Sequence, residues 1–338
     1  MGCNLRDLAK AHSIDLSELA GKTVGIDAFL VAFQFITSMR NRGPDGDGGP
    51  LSDSKGRPTP HLIGFLERTT TLIELGLDPV YIFDGKHPEL KADVMAERKA
   101  RRAEAKKKWT DAIAAGDMVR AQKYGQQAAE YTSEMQEQTK RLLDLLGVPW
   151  IDAAAEGEGQ AAVMASKGEI DIVATQDWDA LLYGSPILIR NLMSHGKRRR
   201  GRLVSAEKVV LDEMLEENEI SREQLVDLAI MIGTDYHPGI KGIGPKTGLK
   251  LIKEHGNIEK ICEVKEKQIP ENLDTIRSIF LDHPYSKVAS ISQGLADETG
   301  LRKFLMEDFD FSEQRLERNL KRLKGRIRKG GQPTLFEF

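Results

Sequence analysis

IDIVATQDWD, residues 170–179, is an apolar run that ends on two acids one residue apart, Asp177 and Asp179. The run is short, rich in Ile and Val and bounded by polar residues, which predicts a buried strand over 170–175. TVGID (23–27) and VYIFD (80–84) repeat the arrangement, with Asp27 and Asp84 at their downstream ends, and further strand candidates lie at 148–151 and 187–191. Helical periodicity separates them, as in LIGFLERTTTLIEL (62–75). Strands alternating with helices predict an α/β fold, a mostly parallel central sheet flanked by helices.

In such a sheet the carboxyl ends of the strands line one crevice, so acids placed there converge. Glu156 and Glu158 of EGEGQAA and Asp235 of GTDYHP bring the number to seven. Like charges about 4 Å apart repel by roughly 4 kcal/mol at an effective dielectric near 20, so the cluster calls for positive charge. Oxygen-only donors point to Mg²⁺ or Mn²⁺ and not to zinc, and so many carboxylates suggest a two-metal site for phosphodiester chemistry. Each acid also has a plainer reading. Asp84-Gly85 fits a turn, Glu156 and Glu158 complement a helix dipole, and Asp177 or Asp179 fits an N-cap. The coincidence of several separate segments favours the metal.

The chain has 338 residues, 40% hydrophobic and 30% charged, enough for one large core or two modest ones. Its net charge of −3 averages segregated blocks: nine Lys/Arg against four Asp/Glu over 86–108, and eight against Glu317 alone over 315–329. KRRRGR (197–202) is a third basic block. Basic blocks around an acidic crevice suit a polyanion held while its backbone is cut, though any one of them could be a solvated helix face. Cys3 and Cys262 have no metal or disulfide spacing. No apolar stretch approaches the roughly 20 residues of a membrane span, no signal-peptide core is seen, and Arg6 breaks a myristoylation motif. A cytoplasmic location without membrane attachment is expected.

NRGPDGDGGPLSDSKGRPTP (41–60) reads as a loop, residues 88–146 as two or three helices, and 205–330 as largely helical. GIKGIGPKTG (239–248), followed by LKLIKEHG, has the form of a helix–hairpin–helix. Its backbone N–H groups, with Lys241, Lys246 and Lys250 beside them, would grip phosphate without reading a base.

DAFLVAFQF, VYIFDGKHPELK, EGEGQAA, TQDWDALLYG and GTDYHPGIKGIGPKTG together resemble the successive blocks of the flap endonucleases, structure-specific 5′ nucleases of the PIN-like superfamily. The compact form is similar to archaeal members. The resemblance implies one composite nuclease domain over 1–330: an N-terminal region to 87, a helical arch over 88–146, an internal region over 147–235 and a hairpin and C-terminal region over 236–330. A clamp-binding tail, 331–338, follows.

It implies two Mg²⁺ ions, with Mn²⁺ as substitute, Asp84 and Glu158 around one and Asp177 and Asp179 around the other. Asp27, Glu156 and Asp235 would act partly through water. Lys91 and Arg98 match the family's basic pair at the scissile phosphate, and their spacing of seven suits one face of a continuous helix. Phe33 matches an aromatic on which a nucleotide stacks, with core packing against Phe29 and Phe35 as the alternative. Arg101 and Arg102 match arch cations, and Thr59 a residue near a 3′-flap pocket. The hairpin glycines Gly239, Gly242 and Gly244, with Lys241 and Lys246, would hold a duplex arm, with K⁺ as a candidate ion there. QPTLFEF resembles a sliding-clamp box through Gln332, Leu335 and Phe338.

The implied activity is 5′-flap endonuclease with 5′–3′ exonuclease on DNA, in Okazaki-fragment maturation and base-excision repair, by a monomer. A DNA-junction scaffold without catalysis, and a 5′ nuclease preferring exonuclease or bubble substrates, are the alternatives. Assay with and without EDTA separates the first, and product sizes the second.

Overall fold

The computed structural model describes residues 3–43, 45–196, 198–199, 201–288, 290–323 and 326–328. The chain divides into two compact units, each assembled from non-consecutive segments: Met1–Asp27, Ile82–Val94 and Ile151–Ala289 in one, and Ala28–Tyr81, Met95–Trp150 and Ser290–Phe338 in the other.

The first unit is built on strands β1 (His12–Ile14), β2 (Thr23–Asp27), the ends of β3 (Asp78–Phe83) and β4 (Trp150–Asp152), then β5 (Ile172–Ala174), β6 (Ile187–Arg190) and β7 (Ala206–Val210). The seven-stranded sheet runs in the order β1-β7-β6-β5-β2-β3-β4. β2 and β6 lie parallel to β5, with Val24, Gly25 and Ile26 opposite Ile172, Val173 and Ala174. Every residue of β5 is buried, as expected of a parallel strand covered on both faces. β7 is antiparallel to β6, and β1 to β7, so the parallel centre gains an antiparallel flank.

Neither flanking strand is among the five expected from the sequence, and β7 occupies the start of the stretch expected to be largely helical. β1 is only three residues long. In AEKVV, Ala206 and Val209 are buried while Glu207 and Lys208 stay half-exposed, an alternation too short to stand out from the helical pattern that follows. The remaining helices of 205–330 form as expected, among them Arg222–Ile232, Pro245–His255 and Leu273–Leu281. Among the described residues no helix is long and apolar enough to cross a membrane.

The second unit has its own core. Phe35 from the helix Ala28–Ser38 meets Phe65 of the helix Pro60–Glu74 edge-on at 5.8 Å, and Phe65 lies 4.9 Å from Tyr81. Three helices fill the 88–146 stretch: Ala92–Ala114, Met118–Gln127 and Ser133–Leu146. The Gly- and Pro-rich loop is tied to two of them. The buried Arg40 donates to the carbonyls of Gly48 and Gly125, each at 2.6 Å, and Trp109 Nε1 donates to Asp47 O at 2.7 Å.

Candidate active site

All seven expected carboxylates fall in the first unit, six of them at or just after the ends of its strands or at the starts of its helices and Asp235 in the connection after the helix Arg222–Ile232. Asp27 is the last residue of β2 and Asp84 follows β3. Glu156 precedes and Glu158 opens the helix Gly157–Ser166, while Asp179 opens the turn of helix Asp179–Leu182.

Three backbone or hydroxyl donors aim individual acids. Gly157 N–H donates to Asp84 Oδ1 at 2.7 Å, Cys3 N–H to Asp179 Oδ1 at 2.7 Å, and Thr175 Oγ1 to Glu158 Oε1 at 2.6 Å. The Asp177-Trp178-Asp179 turn is held from its far side. Arg190 caps the buried Trp178 ring at 4.1 Å and donates twice to Gln176 O, at 3.2 and 3.3 Å. A guanidinium over an indole face gains from the ring quadrupole as well as from its hydrogen bonds.

Positive charge enters the cluster through Lys91. Its buried ammonium lies 2.7 Å from Glu156 Oε2 and 3.4 Å from Asp235 Oδ2, and His87 Nδ1 donates to Glu156 Oε1 at 3.0 Å. Burial works against the Glu156 charge, but His87 and Lys91 outweigh it and hold this carboxyl below its ordinary range. The reverse holds elsewhere. Burial, then the charges of Asp177 and Asp235, push Asp179 up to about 7. Burial, then Asp177, Asp27 and Asp179, push Glu158 up, and burial with Glu156 raises Asp84. The seven acids therefore form one electrostatic neighbourhood carrying more negative charge than Lys91 and His87 neutralise.

Among the described residues no group of three or more His, Cys, Asp or Glu side chains is arranged to hold a metal ion in this conformation. The donor chemistry nevertheless suits a hard divalent cation. The acids supply only oxygens, and burial, followed by repulsion from neighbouring acids, raises the proton affinity of Glu158 and Asp179.

Lys91 ends the short 3₁₀ turn Glu89–Lys91 that starts behind Pro88, whereas Arg98 belongs to the helix Ala92–Ala114. The two do not share one continuous α-helix, so the two-turn spacing does not set their directions. Pro88, with its fixed φ and missing N–H, begins the separate turn. Arg101 pairs with Glu97, and with Arg102 it lines a groove that also takes in Glu104, Lys108 and Gln127.

The segment 239–248 supplies the expected helix–hairpin–helix turn: residues 239–244 lie between the helices Arg222–Ile232 and Pro245–His255, and 245–248 open the second of them. Gly239 and Gly242 have φ of 90° and 91°, a region that disfavours other residues, and Gly244 is the N-cap. Lys241, Lys246 and Lys250 are exposed there. In the second unit, Phe35 goes into the core and Phe29 lies edge-on to Tyr131 at 5.9 Å, while Phe33 between them stays partly exposed. The buried Thr59 lines a cavity of about 440 Å³ with Leu51, Ile63, Phe309, Phe311 and Arg315. Gln332, Leu335 and Phe338 lie outside the described residues.

Nothing in the residues marks the Cys3 donor, because a backbone N–H carries no residue signal. His87 and Arg190 had one: a histidine in the block after Asp84, and a lone cation at the end of an apolar strand.

Two family models match, the XPG N-terminal domain over residues 4–105 and the XPG I-region over 147–235. The flap endonuclease 1 of Pyrococcus horikoshii is 44% identical over 99% of this chain and 97% of its own length, and that of Methanosarcina acetivorans is 43% identical over 96% of each. Flap endonuclease-1 from Methanococcus jannaschii superposes with a TM-score of 0.76 at 36% identity, covering 96% of this chain and 99% of that one. The catalytic core of Rad2 in complex with DNA substrate shares the fold, with a TM-score of 0.74 at 22% identity, covering 96% of this chain and all of that one. Likeness at this level along nearly the whole chain means that the chain belongs to the flap endonuclease family.

Proposed function

We propose that this chain hydrolyses DNA phosphodiesters at 5′-flap junctions, with 5′–3′ exonuclease on nicked duplex, in replication and base-excision repair. The observation that carries this reading is the convergence of acids from separate chain segments around Lys91. Two divalent ions, Mg²⁺ with Mn²⁺ as substitute, would be held by Asp84 and Glu158 and by Asp177 and Asp179, with Asp27, Glu156 and Asp235 contributing in part through water. When bound, such ions polarise water and phosphate oxygens.

The chain's own groups prepare that site. The N–H groups of Cys3 and Gly157 and the Thr175 hydroxyl fix three carboxylates in advance. The Lys91 ammonium, held by Glu156 and Asp235, is a preorganised charge for the anion that develops on phosphate. Arg98, Arg101 and Arg102 counter strand phosphates. Phe33 offers a stacking face worth about 1–3 kcal/mol per base. The hairpin grips a duplex arm through Gly239, Gly242, Gly244, Lys241 and Lys246, with K⁺ a candidate ion there, and Thr59 belongs to the pocket for a 3′ flap. We assign Gln332, Leu335 and Phe338 to sliding-clamp docking, residues 1–330 to one composite nuclease domain, and the whole to a cytoplasmic monomer.

Cleavage of a 5′-flap substrate in Mg²⁺ tests this. Asp179→Asn should lose more than about a hundredfold in kcat. Survival within about tenfold, or wild-type cleavage that persists in EDTA, contradicts it. Product sizes on flap, gapped and bubble substrates rank the substrates.

A further inference from the structure

Three of the acid-bearing segments lean on one group of side chains to which no role has been given above. The helix Leu273–Leu281 carries the fully buried Phe280, whose ring lies 5.0 Å from Tyr183 and 5.5 Å from Tyr236. Tyr183 follows the helix that Asp179 opens, and Tyr236 is the neighbour of Asp235. Their hydroxyls meet at 3.1 Å, and the Lys91 ammonium lies 6.0 Å from the Tyr236 ring centre. The Phe280 carbonyl accepts from Arg222 Nη2 at 2.8 Å while Arg222 Nε donates to Leu182 O at 3.1 Å, a second tie to the Asp179 helix.

The third segment is reached through His283. Its ring stands edge-on to Tyr183 at 4.8 Å and lies so close to Gly159 that a Cβ there would come within 2.4 Å of it. Gly159 sits between Glu158 and the fully buried Gln160. The Gln160 amide pairs both ways with the backbone of Ser286, donating to its carbonyl and accepting from its N–H at 2.8 Å each.

We infer that Phe280 and His283 are positioning residues for the carboxylates: the chain from 280 to 286 is the common brace on which the Glu156–Gln160, Asp177–Tyr183 and Asp235–Tyr236 segments take their register. The inference rests on the function proposed above. Crowded acids repel and tend to part, and a close-packed brace resists that displacement. A shift of about 1 Å in groups that must converge on one reacting centre costs on the order of a hundredfold in rate. His283 also borders an open cavity of about 690 Å³, with Lys86, His87 and Ile279, so trimming it widens an existing space instead of leaving a sealed void.

Calorimetry with Mn²⁺ alone, without DNA, on wild type, Phe280→Ala, Phe280→Leu and His283→Ala tests the brace, together with kcat and KM on a 5′-flap substrate. Phe280→Ala and His283→Ala should each weaken Mn²⁺ binding and lower kcat by about tenfold or more, with KM within about twofold, and Phe280→Leu should recover most of both. Folded variants whose Mn²⁺ affinity and kcat stay within about twofold of wild type overturn the brace. So does a loss confined to KM, which would place Phe280 in the service of the DNA grip. If Phe280→Ala does not fold, His283→Ala decides by the same criteria. Wild type that takes up no Mn²⁺ overturns the proposed function as well, whereas normal wild-type uptake with unaltered variants overturns the brace alone.

Discussion

Lys91 Nζ stands 2.7 Å from Glu156 Oε2 and 3.4 Å from Asp235 Oδ2, and thereby joins the turn after β3 to two other acid-bearing segments of the site. An ammonium in that position competes with any divalent cation for the same oxygens. Lys91→Met should therefore tighten Mn²⁺ uptake by the DNA-free protein while lowering kcat on a flap substrate by about a hundredfold or more. Calorimetry and single-turnover cleavage measure the two effects separately. A variant that binds Mn²⁺ more weakly would show that Lys91 organises the acids and does not compete for them.

Gly64 is fixed by packing. A Cβ on it would lie 2.1 Å from ring atoms of the fully buried Phe35. Gly64→Ala gains at most about 1 kcal/mol of helix propensity, against an overpacking cost of about 1–3 kcal/mol. Urea unfolding should show a net loss of stability, and a gain would mean that the Phe35 ring has room to turn away.

His61 makes stability depend on pH. It is fully buried, its Nε2 is 2.8 Å from Gln138 Oε1, and burial pushes its pKa from the ordinary 6.5 down to about 4, against the opposing Gln138 bond. The unfolded chain then binds the proton more readily than the folded one, so stability is complete above about pH 6.5 and falls as the pH drops towards 4. The loss across that window is at most about 3 kcal/mol. His61→Gln should flatten this part of the curve of unfolding free energy against pH, and an unchanged slope would remove His61 as its source.

How much of this was legible from residues alone differs by level. Asp27, Asp84, Asp177 and Asp179 were readable because each follows an apolar run, and a parallel sheet puts such ends side by side. The hairpin was readable because glycines, Pro245 and flanking apolar residues occur in one short motif. β1 and β7 were not, being three and five residues long with too few alternations to assert a period. The Phe280 and His283 brace was invisible for another reason. Nothing in IFLDHP marks it, and its partners lie about 45 to 125 positions away in a chain whose folding alone brings them together. The aim of Asp179 depends on a main-chain N–H, which any residue but proline would supply.

Lys246 is exposed at the start of the hairpin's second helix. If it neutralises one phosphate, Lys246→Ala should weaken duplex binding to a similar degree whatever the base sequence. It should also reduce the slope of log affinity against log salt by about 1. Fluorescence anisotropy over a salt series on two unrelated duplexes measures this, and a sequence-dependent loss would assign Lys246 to base reading instead.

Diffraction from crystals soaked in Mn²⁺, collected at the manganese edge, locates the ions directly. The expected result is two anomalous peaks, one between Asp84 and Glu158 and the other between Asp177 and Asp179, with Lys91 withdrawn from Glu156 or Asp235. Density with no peak among these oxygens, or with peaks only at surface carboxylates, would contradict it.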